Sequence, residues 1–102
     1  MTRTPTLHLV ATTRIIDWAH HHHDRNTFLA TCLARHLRRD WGELDTDDWE
    51  LNDRAIACRS GRLLSAYPVP TELDPHDTTI WVITDNLDDP HTPTTILWPS
   101  DY

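Results

Sequence analysis

The sequence predicts an α+β fold in which two to three helices pack on a three- to four-stranded, largely antiparallel sheet. Three observations carry this expectation. Apolar residues recur at spacings of three and four through the first half of the chain. Three short segments of the second half are rich in β-branched and aromatic residues. The connectors between them, "PTELDPHD" and "NLDDPHTP", are full of Pro, Asp, Asn and Thr, as turns require. Helices that precede a run of strands, rather than alternating with it, read as α+β. At 102 residues the chain is expected to be one domain, 1–102, with a helical half over 12–58 and a β-meander over 62–100.

The elements follow in chain order. "TLHLVA" (6–11) reads as a short strand with Leu7 and Leu9 facing one way. "TTRIIDWAHHHHD" reads as a short helix capped by Thr12 or Thr13. "NTFLATCLARHLRRD" gives the clearest helix, capped by Asn26 or Thr27. Phe28, Leu29, Cys32, Leu33, His36 and Leu37 fall on one of its faces. Arg35, Arg38 and Arg39 crowd its end, where positive charge complements the helix dipole, and Gly42 stands beyond it to break the helix. A third helix, over 46–58, starts behind Asp45 or Thr46 and carries acids in its first turn. Trp49, Asn52 and Ile56 share one of its faces, and Leu51, Ala55 and Cys58 the next. "RLLSAYPV" (62–69), "TTIWVITD" (78–85) and "TTILWPS" (94–100) are the three strands of an antiparallel meander. Pro68, Pro70 and Pro99 sit at strand ends, where a missing N–H is tolerated.

Composition narrows the function classes. Only Gly42 and Gly61 are glycines, which excludes a glycine-rich phosphate cradle. No apolar run approaches the roughly 20 residues that cross a bilayer, and the N-terminus lacks a signal-peptide core; a cytoplasmic location is expected. Cys32 and Cys58 lie inside helical segments and are expected to be reduced, buried thiols. The formal net charge is −7, unevenly spread. Residues 1–39 hold six arginines and two acids, residues 40–58 seven acids and one arginine, and residues 59–102 seven acids and two arginines. Lysine does not occur. An acidic excess argues against direct nucleic-acid binding and favours a basic partner.

Several constellations bear on chemistry. The run His20–His23 suggests a metal site, but four consecutive histidines point in four directions and nothing completes a ligand set, so adventitious affinity is the better reading. Cys32 and His36 are one helical turn apart and form a conceivable nucleophilic pair; with no oxyanion hole or third member, a core thiol beside a histidine that hydrogen-bonds the following loop is favoured. Ser65, Tyr67 and Thr84 read as sheet-face packing, because a nucleophilic serine wants a glycine-containing turn. The acids of 40–53 do not match a calcium loop. No metal or cofactor is expected. What remains is "RDWGELDTDDWELNDRA". Asp45, Asp47 and Asp48 are accounted for as a helix start. Trp49 is expected in the core. Trp41 sits in a loop between Asp40 and Gly42 with no periodicity to place it inside, and is expected to be an exposed aromatic ringed by acids.

"ARHLRRDWGELDTDDWELNDRAI", "RLLSAYPV", "IWVITD" and "TTILWPSDY" together resemble a family of small uncharacterised bacterial proteins carried by plasmids and prophages. Its pattern is R-H-x-x-G-D-W-G-D/E, an acidic N-D helix, R-L-L-S-A-Y, I-W-V-I-T-D/E and T-T-V-L-x-P-x-D/E-Y. The matching residues are Arg35, His36, Asp40, Trp41, Gly42, Glu43, Asn52, Asp53, 62–67, 80–85 and 94–102; Arg39 stands where the pattern has glycine. The resemblance implies a mobile-element setting, in which small acidic proteins inhibit host defence by plugging basic grooves. The expected function is therefore a non-enzymatic inhibitor of anti-CRISPR or anti-restriction type. Asp40, Trp41, Glu43, Asp45, Asp47, Asp48, Glu50, Asp53, Asp85, Asp88 and Asp89 would bind the basic nucleic-acid-binding surface of a CRISPR effector or restriction enzyme. Two alternatives stand beside it. One is a small metal-dependent enzyme using His36, Asp40 and His20–His23; the other is a DNA-binding accessory protein working through Arg35, Arg38 and Arg39.

Overall fold

The computed structural model describes residues 8–76 and 78–102. Thr6 and Leu7 of the expected first strand, and Asp77 of a connector, lie outside them. The fold is α+β: β1 (His8–Ala11), α1 (Thr13–His20), α2 (His23–Leu37), α3 (Thr46–Cys58), β2 (Leu63–Pro68), β3 (Thr79–Thr84) and β4 (Pro93–Leu97), closed by a 3₁₀ turn at Pro99–Asp101. The strands form one sheet in the order β1-β4-β3-β2. β2, β3 and β4 are the antiparallel meander, and β1 adds to β4 in parallel.

Helix ends follow local chemistry. Thr12 accepts from the Ile15 N–H and caps α1. α2 begins four to five residues earlier than the Asn26/Thr27 cap would have it. His22 supplies the cap, its Nδ1 accepting from Asp24 N, and Asp24 sits in the first turn where a carboxylate is favourable. Part of the histidine run is thus helix-start chemistry. Asp45 caps α3 through the Asp48 N–H. At the end of α2 the left-handed residue is Arg39 (φ 68°) rather than Gly42. That position normally takes glycine, because a Cβ there costs about 1 kcal/mol.

Strand alternation divides the sheet into two faces. Leu63, Ser65, Tyr67, Ile80, Val82, Thr84, Thr94 and Ile96 share the face that meets the helices, as the register requires. Over it, Ile15 of α1 and Cys32 of α2 pack with Tyr67, Val69, Ile80, Val82, Ile96 and Trp98. Trp18 meets Trp98 edge-on at 5.2 Å, and its indole N–H donates to Asp74 Oδ2 at 2.9 Å. The His76 backbone N–H and ring, with that indole, hold the Asp74 carboxyl down at about 2. A second, smaller cluster forms where α3 meets β2: Trp41, Ala55 and Leu63, with Leu44, Trp49, Ile56 and Leu87 against it. Cys32 is buried as expected. Cys58, the last residue of α3, is exposed; the buried side of that helix is carried by Asn52 and Ala55.

α3 lies along the edge of the sheet, and its Asn52 is the reason. Leu64 and Ala66 turn their peptide groups outward, away from β3. The Asn52 side chain donates to Leu64 O (2.7 Å) and accepts from Leu64 N (3.1 Å), mimicking a neighbouring strand. Ala66 is satisfied by backbone: its N–H donates to Trp41 O (3.0 Å), and its C=O accepts from Glu43 N (2.8 Å). Two residues on, Pro68 has no N–H to satisfy. We expect N52A to lose about 2–3 kcal/mol of unfolding free energy in a urea titration, because it strands both Leu64 groups. A loss below about 0.5 kcal/mol, the level of an ordinary surface change, would show that water replaces the clamp.

Candidate functional site

The stretch 35–53 folds as a lock around Asp40 and Trp41. Arg35 grips Asp40 through two bonds, Nε to Oδ2 at 2.7 Å and Nη2 to Oδ1 at 3.2 Å. This pairing holds the Asp40 carboxyl below its ordinary range and the guanidinium above its own. The Arg35 guanidinium lies over the Tyr67 ring, 4.6 Å from its centroid, and the Tyr67 hydroxyl donates to Asp40 O at 2.6 Å. Burial raises that phenol to about 12, so it keeps its proton. Gly42 takes φ 77° and approaches Ala66 so closely that a Cβ would lie 2.1 Å from Ala66 O. No other residue fits there.

This approach overturns the expectation for Trp41. Its side chain is 0% exposed. Once Trp41 O and Glu43 N are tied to Ala66, the indole between them swings inward, onto Ala55 and Leu63. It meets the His36 ring edge-on at 5.6 Å and donates to Asp53 Oδ1 at 3.3 Å. A loop tryptophan without periodicity can still be core when backbone pairing, rather than helical spacing, aims it. Trp41 is therefore not a surface anchor.

The other expected site residues divide in two. Asp40, Asp45 and Asp53 are spent on the ion pair, the α3 cap and the indole; Asp88 accepts from Ser60 Oγ, and Asp89 from His91 N. Glu43, Asp47, Glu50 and Asp85 are exposed and Asp48 half-buried, and among the described residues their carboxylates hold no hydrogen bond or ion pair. The free acids follow α3, with Asp85 at the end of β3. The Leu87 N–H to Gly61 O bond (2.9 Å) ties the β3–β4 loop down near the C-terminal end of α3.

A buried polar chain went unrecognised in the sequence. His36 Nδ1 lies 2.6 Å from Ser65 Oγ, Nε2 lies 2.9 Å from Thr84 Oγ1, and Thr84 Oγ1 lies 2.9 Å from Thr94 Oγ1. All four residues are buried. The histidine bonds the sheet, not the loop that follows it. The available signal was Ser65, Thr84 and Thr94 at inward positions of three strands, where alternation calls for apolar residues. Burial pushes the His36 imidazole down to about 4, so it is neutral near pH 7 and one ring nitrogen donates while the other accepts. Burial likewise raises the Cys32 thiol to about 12, the wrong direction for a nucleophile.

Comparison with family models, curated proteins and solved structures found no match to this chain. The site therefore stands on its own geometry. Among the described residues no three His, Cys, Asp or Glu side chains converge as a metal would need, and no helix is long and apolar enough to cross a membrane.

The histidine gives a pH prediction. A folded-state value near 4 against about 6.5 unfolded favours the neutral ring on folding, so its stability is complete above pH 6.5 and lost as pH falls toward 4. The unfolding free energy should drop by up to about 3 kcal/mol across that window. The depressed carboxyls titrate below it. H36Q, measured by urea titration at each pH, should flatten this slope; an unchanged slope would assign it elsewhere.

Proposed function

We propose that this protein is a non-enzymatic inhibitor of a host nucleic-acid-targeting defence system, of anti-CRISPR or anti-restriction type. It occupies the basic nucleic-acid-binding surface of an effector or restriction enzyme, with the outer side of α3 and the β3–β4 loop as its face. One observation carries the reading: Glu43, Asp47, Asp48, Glu50 and Asp85 are carboxylates that the fold does not use. Asp47 and Glu50 lie one helical turn apart in the first half of α3, so their charges sit on one side of the helix. Leu51, 57% exposed on the same helix, takes the apolar contact first expected of Trp41.

The two classes of acid separate in experiment. D47A/D48A/E50A should leave the fold intact and weaken binding to an effector complex at least about tenfold, with a shallower salt dependence. D45A should instead cost about 1 kcal/mol of stability through the lost cap. Binding to the effector that is salt-insensitive and unchanged in the triple variant would overturn the charge-mimic reading.

A further inference from the structure

A cleft of about 400 Å³ opens over the His36 chain, on the side of the molecule where the end of α2, the β3–β4 loop and the start of β1 meet. Small-molecule sites have this size, and by the volume of liquid water it admits about a dozen non-hydrogen atoms. Trp41, Ile56, Leu63 and Leu87 form apolar walls. His36, Thr84 and Thr94, all buried, are among the lining residues. Arg39 and His8 stand among the lining residues. Among the described residues no carboxylate lines the cleft, although the chain holds sixteen acids. The acids of the neighbouring loop, Asp88 and Asp89, are turned to Ser60 and His91.

Two features have no use in the fold alone. Arg39 keeps a left-handed backbone that glycine would adopt without strain, and among the described residues its guanidinium makes no ion pair. The His36 chain also has a free end. If Ser65 donates to Nδ1, the protons run outward through Nε2 and Thr84, and the Thr94 hydroxyl is left to donate. If Nδ1 donates to Ser65, the order reverses, and Thr94 keeps lone pairs to accept. The Thr94 hydroxyl, at the end of the chain and in a lining residue of the cleft, can thus donate or accept according to the partner it meets.

We infer that this cleft binds a small carboxylic acid with an apolar body, its ring or branched chain against Ile56 and Leu87, its carboxylate paired with Arg39 and its inner end met by Thr94. The walls select an apolar body. Arg39, the arginine among the lining residues, with no acid beside it there, selects a single negative charge, and arginine suits a carboxylate through paired N–H donors. This site borders the acidic face at the β3–β4 loop but uses none of the free carboxylates, so each can be tested with the other intact.

The test uses the full chain labelled with ¹⁵N and two probes of one shape, indole-3-acetate and its neutral amide. The acid should shift the backbone resonances of His36, Thr84, Leu87 and Thr94 saturably, and the amide should bind about tenfold more weakly, as loss of a charge-assisted pair requires. R39G suits the left-handed position and keeps the fold; it should weaken the acid about tenfold and leave the amide unchanged. T94V should weaken both probes severalfold. Absence of a saturable shift at these four residues, equal affinity for acid and amide, or an R39G variant that binds the acid as well as the parent chain would each overturn the assignment.

Discussion

A strand at the edge of a sheet leaves every second peptide group without a partner, and this molecule is organised around the supply of those partners to β2. Asn52 serves Leu64; Trp41 and Glu43 serve Ala66; Pro68 removes the next donor. Each requirement fixes something larger. The Asn52 clamp holds α3 beside the sheet and not over it. The Ala66 bridge demands Gly42, fixes the loop that leaves α2, and drives Trp41 inward to found the smaller core. The ion pair of Arg35 with Asp40, and the Tyr67 hydroxyl on Asp40 O, brace that loop from the other side.

The His36 chain joins what edge sealing leaves separate. One core lies under α1 and α2, the other under α3, and His36 stands between them, linking α2 to β2, β3 and β4 through three hydroxyls. A buried polar chain of this kind contributes specificity more than energy: its donors and acceptors are satisfied in one register only, since a one-residue slip would turn Ser65 or Thr84 to the opposite face.

Helix content, strand order within the meander and the start of α3 were legible in the sequence, because each depends on local spacing. The α2 start and Cys58 were misread locally, but the residues that shape the core depend on contacts distant in the chain. Trp41 is core because of Ala66, 25 positions later; the Asn52 amide matters because of Leu64; His36 answers to Thr84 and not to its own loop. β1 could be read as a strand, but its parallel pairing with β4 could not, since it joins the two ends of the described chain. Of the expected site acids, about half are structural. Nothing in their spacing separates Asp45, a cap, from Asp47, which is free; only the geometry of the helix start does so.

The two thiols, one sealed under α2 and one in solvent, give the molecule a clock. Cys58 meets any alkylating reagent directly, whereas Cys32 is covered and holds its proton to about pH 12. Modification of Cys32 thus waits on the opening of α2 from the sheet, and its rate relative to Cys58 measures how often the larger core comes apart under native conditions.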